Sequence, residues 1–159
     1  MHLLIVIIQL KVKKSIGQKE KIEFFLYLCI MGQKEGFSME KDVVWLGYPK
    51  CSTCQKAEKF LRACGCTAPM RDIVKEPPTI EELRTWHTRS GLSLRRFFNT
   101  SGQRYRELGL KDKLSAMTQE QQYALLASDG MLVKRPLVIT KEHVLVGFRA
   151  EAWTEILSC

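Results

Sequence analysis

The 159-residue sequence contains no apolar run of the roughly 18–20 residues that a membrane span needs. MHLLIVIIQL at the start and EFFLYLCIM further on are apolar but too short. No basic segment precedes the first run and no small-residue cleavage site cleanly follows it, so no secretory leader is expected. A cytoplasmic protein without a membrane segment is the expectation. Histidine is scarce: His2, His87 and His143 form no ligand spacing with carboxylates or cysteines, so no metal site is expected on them. Repeats and low-complexity tracts are missing. Glycine and proline are few, 10 and 5, and the composition is that of an ordinary globular chain, 45% hydrophobic and 26% charged.

What is present is basic charge and cysteine. The net charge of +8 favours anionic partners, or simply keeps the protein soluble. The length suffices for one domain with a proper core, with no disulfide scaffold needed. The six cysteines lie at 29, 51, 54, 64, 66 and 159. In a reducing compartment a close cysteine pair is more often catalytic or metal-binding than structural.

The chain divides near Met39. Residues 1–38 show no convincing period, whereas strand, helix and cap signals agree from Val43 onward. Lys34-Glu35-Gly36 requires purine-rich codons where a ribosome-binding site would precede Met39. Residues 1–38 are therefore expected to be a non-native extension from a misassigned start, with an accessory tail as the alternative, and 39–159 the functional domain.

Within 39–159 the order reads β-α-β, several helices, then β-β-α. DVVWLGY (42–48) is a buried strand ended by Gly47 and Pro49. A helix from Ser52 to about Gly65 carries an apolar stripe of Ala57, Phe60, Leu61 and Cys64, with Gly65 as its cap. TAPMRDI (67–73) is a second strand. Thr79 with Glu82, and Thr118 with Gln121, form capping boxes for two helices, the second ended by Gly130. Ser93 is expected to cap a short LRRFFN helix. LVIT (137–140) and VLVGF (144–148) form a hairpin, and EAWTEILS closes the chain. This is an α/β fold, a small mixed sheet with a helical insertion at about 77–130.

The chemistry concentrates in YPKCSTCQKA. C-x-x-C places Cys51 and Cys54 one helical turn apart on the same face. At a helix start, free N–H groups and the macrodipole stabilise the thiolate of Cys51, the form that attacks a disulfide or another electrophile. Cys54 is then the resolving thiol, and Lys50 adds positive charge. Two plain buried cysteines are the alternative. A four-cysteine zinc site with Cys64 and Cys66 is excluded by helix length: Cys64 lies roughly 15 Å along the helix at 1.5 Å per residue, against Zn–S bonds of about 2.3 Å. Cys64 reads as core, Cys66 as a residue just past the cap.

Arg135-Pro136 stands at the start of a buried strand, where a missing N–H is tolerated. His87 reads as a surface or satisfied packing residue. Trp86, Phe97, Phe98 and Tyr105 read as core of the helical part rather than a base-stacking platform, so direct nucleic-acid binding is not expected. RTWHTRSGLSLRR reads as a solvated face, with an acidic partner as the alternative.

From about Val43 to Leu157 the chain resembles the C-x-x-C branch of the arsenate reductase (ArsC)/Spx family of bacterial thioredoxin-like proteins. YPKCSTCQKA, LSLRRFFNTSGQRYRELGL, LASDGMLVKRPLVIT and VLVGFR carry the resemblance in that order. It implies a thioredoxin-like (glutaredoxin-like) mixed sheet with an inserted helical subdomain and a reactive Cys51. It also implies a cis Pro136, with Arg135 aimed at the cysteine. Family enzymes cradle the oxyanion with three arginines, planar forks suited to a tetrahedral anion. Arg135 matches one, Arg149 a second, and the third falls on Asn99. The position often held by serine in those enzymes is Cys54, which moves the chemistry toward an internal disulfide.

The resemblance implies no bound cofactor. Glutathione, glutaredoxin or thioredoxin would be the electron donor, and arsenate, another small oxyanion or a thiol or disulfide the substrate. Cys51, Cys54 and Arg135 are the catalytic candidates. Lys50, Asn99, Pro136 and Arg149 are the anion-binding candidates. The rival reading is an Spx-like redox-sensing regulator that binds the C-terminal domain of the RNA polymerase α subunit. The polymerase-facing loop of that family tends to be basic, whereas NTSGQ (99–103) here is uncharged.

Overall fold

The computed structural model describes residues 43–157. Segment 1–38, and with it the reading of Met39 as the start, lies outside the described residues.

Four short strands form one sheet in the order β2-β1-β3-β4. β1 is Val44–Gly47, β2 Met70–Asp72, β3 Leu137–Ile139 and β4 Val144–Val146. β1 runs parallel to β2 and antiparallel to β3, and β3 and β4 make the expected antiparallel hairpin. Helix α1, Ser52–Ala63, is the crossover from β1 to β2. Side chains alternate across the sheet with period two and so divide the core. Trp45, Val138 and Leu145 pack with Ala57 and Leu61 of α1 and with Trp153 and Leu157. Leu46, Leu137, Ile139 and Val144 face the other way, onto the helical insertion.

That insertion consists of α2 Ile80–Ser90, α3 Gln103–Glu107, α4 Leu110–Lys113 and α5 Gln119–Ser128, joined by 3-10 turns. α6, Ala150–Leu157, ends the described chain. Both capping boxes form as read, Thr79 with Glu82 on α2 and Thr118 with Gln121 on α5. Glu82 also takes Arg71 of β2 in a two-pronged bond of 2.6 and 3.0 Å, which ties the insertion to the sheet.

Several sequence expectations need correction. The strands are shorter than expected, and β1 ends at Gly47, where Tyr48-Pro49 turns the chain. Leu94–Phe97 is a 3-10 turn rather than an α-helix, and Ser93 makes no side-chain cap bond. The Phe97 carbonyl is taken instead by the Lys134 N–H at 2.6 Å, which draws the chain out of helical register. Cys64 is half-buried at the C-cap of α1, not in the core. Gly65 stands one position beyond, at φ 80°, where the left-handed backbone favours glycine. Its N–H bonds to Arg62 O and that of Cys66 to Leu61 O, the paired bonds of a Schellman end. Asp129, not Gly130, caps α5. His87 is a satisfied packing residue, with Nδ1 2.7 Å from the Tyr123 hydroxyl.

Candidate active site

The site forms where β1 hands over to α1. The Cys51 N–H donates to Tyr48 O at 2.9 Å, closing a turn over Pro49 and Lys50. Cys51 then occupies the N-cap of α1 with extended backbone, and its carbonyl accepts from Gln55 N at 3.0 Å. Its side chain makes no full capping bond, yet the sulfur faces the unpaired amides of the first turn. Burial pushes the Cys51 thiol up. The N–H of Cys54, the Cys54 side chain, the N–H of Thr53 and the Arg135 charge outweigh it, so the thiol lies below its ordinary value.

Cys54, one turn on, is 1% exposed. Burial pushes its thiol up to about 12, with its hydrogen bond to Cys51 and the Cys51 charge acting in the same direction. Two cysteines of one turn are thus shifted in opposite directions, Cys51 down and Cys54 up. Cys51, Cys54 and Cys66 are free thiols. Cys66 is buried among the apolar residues under α1, away from this pair.

Cys51 opens on a cleft of about 480 Å³. The charged side chains lining it are Arg96, Lys134, Arg135 and Arg149, all basic, with Asn99 completing the wall. Arg135 stands directly before Pro136, and the bond between them is cis. Its guanidinium lies over the Tyr48 ring, 5.5 Å from the centroid, and Nη1 donates to Met131 O at 3.2 Å. Its Nε is buried and finds no hydrogen-bond partner among the described residues. Arg149 precedes α6, where its carbonyl accepts the Trp153 N–H at 3.0 Å.

Of the residues singled out from sequence, Cys51, Asn99, Arg135 and Arg149 line this one cleft. Cys54 is buried one turn along from Cys51, and Pro136 is joined to Arg135 by the cis bond. Lys50 lies in the exposed turn outside the cleft lining. Sequence reasoning missed Arg96, taken as part of a solvated face, and also Lys134 and Tyr48. Lys134 adjoins Arg135 in sequence, which was the available signal. Arg96 had none, because the pairing of Phe98 with Val133 brings it there. Among the described residues, no group of three His, Cys, Asp or Glu is placed to hold a metal ion. No helix there is long and apolar enough to cross a membrane.

Residues 46–156 match the model of the ArsC family. The uncharacterized protein YusI of Bacillus subtilis is 51% identical over 108 residues, 68% of this chain and 92% of that protein. An ArsC family related protein from Bacteroides fragilis, known as a crystal structure, is 53% identical with a TM-score of 0.69. The match covers 73% of this chain and 97% of that one. The arsenate reductase of Vibrio cholerae superposes with a TM-score of 0.66 at 27% identity, over 75% of this chain and 98% of that one. The regulatory protein MgsR of B. subtilis is 26% identical over 110 residues, 69% of this chain and 86% of that protein.

Proposed function

Because the chain belongs to the ArsC family, we propose that it is a thiol–disulfide oxidoreductase of the arsenate-reductase type, in which Cys51 attacks and Cys54 resolves. One observation carries the reading: Cys51, and not Cys54, opens on a cleft whose charged lining, among the described residues, is entirely basic. Basic side chains there both favour the thiolate and gather an anionic substrate beside it.

The Cys51 thiolate attacks the electrophilic atom, a disulfide sulfur or the arsenic of arsenate. A bond to Cys51 Sγ forms, and the leaving group departs as a thiolate or, from protonated arsenate, as water. The charge on Cys51 that helped to raise the Cys54 thiol is thereby removed. Cys54 gives up its proton and attacks Cys51 Sγ, and the Cys51–Cys54 disulfide closes. The pair of electrons in the broken bond leaves with the substrate atom, giving a second thiolate or arsenite. Two thiols are oxidised and the substrate is reduced by two electrons. A small thiol or a dithiol protein such as thioredoxin or glutaredoxin restores the pair. Arg135 and Arg149 stabilise the negative charge that develops in the cleft.

The test is arsenate reduction by the full chain, coupled to thioredoxin or to glutaredoxin with glutathione. Turnover lost in Cys51→Ser, with a trapped adduct in Cys54→Ser, is the expected result. Turnover that survives Cys51→Ser sinks the mechanism. No turnover, with capture of the RNA polymerase α C-terminal domain, replaces this reading by the regulatory one that MgsR and its kind suggest.

A further inference from the structure

β4 ends the sheet, and no strand covers its outer edge among the described residues. Its pairing with β3 determines which backbone groups that edge presents. Thr140 N donates to His143 O, Gly147 N donates to Pro136 O, and Leu145 lies opposite Val138. Inward-facing groups recur at every second residue of an antiparallel pair, so 143, 145 and 147 face β3. The N–H and C=O of Val144 and Val146 therefore point away from the sheet.

A groove of about 310 Å³ runs along this edge. Leu92, after α2, lines one side and Ile156 of α6 the other. At 37% and 38% exposed, they are two of the few large apolar side chains left open to solvent. Arg89, Arg96 and Arg149 also line the groove, with Glu142 as its only carboxylate among the described residues. Arg96, Val146, Gly147 and Arg149 line the Cys51 cleft as well, so groove and cleft are continuous. A small oxyanion would use neither the backbone edge nor the apolar walls. A free strand edge with apolar walls and a basic rim suits an extended chain with alternating apolar and acidic side chains.

We propose that the β4 edge binds an extended acidic polypeptide segment as an added strand. The main chain of that segment pairs with Val144 and Val146, its apolar side chains rest on Leu92 and Ile156, and its carboxylates meet Arg89, Arg96 and Arg149. Resting on the oxidoreductase reading, this makes a disulfide-bearing acidic polypeptide, led along the groove toward Cys51 and released as two thiols when the Cys51–Cys54 disulfide closes, the class of substrate.

The probe is a blocked peptide of about ten residues alternating Glu and Val, titrated into isotope-labelled full-length Cys51→Ser protein. The Val144 and Val146 amides are expected to shift and to gain protection from hydrogen exchange. Binding is expected to weaken at least about fivefold in Arg89→Glu, the scale of an exposed charge contact. It should weaken about tenfold when alternate amides of the peptide are N-methylated, the scale of one or two lost hydrogen bonds. Arg89 donates to the carbonyls of Thr140 and Lys141, so Ile156→Glu serves as a second variant with the same expected direction. Absence of binding, shifts confined to other residues, equal binding of a Lys and Val peptide, or indifference to N-methylation each overturns the proposal. Binding here does not depend on a reactive Cys51. A peptide that fails to bind while Cys51 turns over removes the docking alone, and one that binds a protein without thiol chemistry removes the oxidoreductase reading alone.

Discussion

Asn99 and Arg135 share one acceptor: the Met131 carbonyl oxygen takes Asn99 Nδ2 at 3.4 Å and Arg135 Nη1 at 3.2 Å. Asn99 stands where the family resemblance places a third arginine, yet it supplies no charge. It is 9% exposed and anchored by its own N–H on Leu132 O at 2.7 Å, so it serves as wall and brace beside the arginine. Asn99→Ala is expected to lower stability by about 1–2 kcal/mol, the cost of a buried polar pairing left unmade. Urea unfolding measures that loss. The pH midpoint of Cys51 alkylation should stay in place, since Asn99 is not among the groups acting on that thiol.

Alkylation against pH separates the two cysteines. Cys51 should react with iodoacetamide at a midpoint below that of a free thiol. In Cys51→Ser, Cys54 should stay inert through neutral pH, because burial holds its proton first of all. Arg135→Gln should raise the Cys51 midpoint without bringing it back to an ordinary thiol, since the amides of Cys54 and Thr53 act on the sulfur more strongly than the guanidinium does. A midpoint in that variant equal to a free thiol would show that the arginine, not the helix start, activates Cys51.

Glu82 makes acid stability a test of the fold. Burial pushes its carboxyl up, but Arg71 and the Thr79 N–H outweigh it, so it lies below the ordinary value. The folded value is then below the unfolded one. Its stabilising contribution is complete above the unfolded value of about 4.3 and is lost as pH falls through the folded value. Glu82→Ala removes both the capping box and the Arg71 pair, and should cost about 1–2 kcal/mol at neutral pH. The difference from the parent should shrink as the pH drops, which paired thermal melts would show.

Gly130 admits no side chain. A Cβ there would stand 1.7 Å from the Ile73 carbonyl oxygen, a backbone atom at the end of β2. Gly130→Ala is expected to destabilise by about 3 kcal/mol or more, at the severe end for a single substitution. Gly65→Ala provides the contrast. Among the described residues a Cβ there meets nothing within 4 Å, and its left-handed backbone penalises the change, so the cost should be about 1 kcal/mol.

What the sequence made legible is what short-range chemistry decides. The Cys51–Cys54 spacing and the two capping boxes act within a few residues, and each lies on its element as read. The LRRFFN turn was not legible, because its helix is broken by a bond from Lys134 to Phe97 that no local pattern announces. The same crossing carries Arg96 and Asn99 to the cleft. Cys64 misled for the opposite reason. It completes the apolar period of α1, but the Schellman bonds end the helix before that face reaches the core. Arg135 and Arg149 were placed only by resemblance, since thirteen residues, the β3–β4 hairpin among them, separate them in the chain.

The crossing at Phe98 and Val133 has a mechanical meaning. Arg96 and Asn99 come from the insertion, Lys134 and Arg135 from the strand that returns to the sheet, and the Phe97–Lys134 and Asn99–Leu132 bonds lace the two together. These four residues line the cleft together with Cys51 and the turn from Gly147 to Arg149. The insertion's share of that lining is therefore held by the seam between insertion and sheet, and Glu82 with Arg71 is a second tie across that seam. Neither Arg71 nor Glu82 lines the cleft, so this tie belongs to the frame that carries Arg96 and Asn99 and not to the surface that a guest touches.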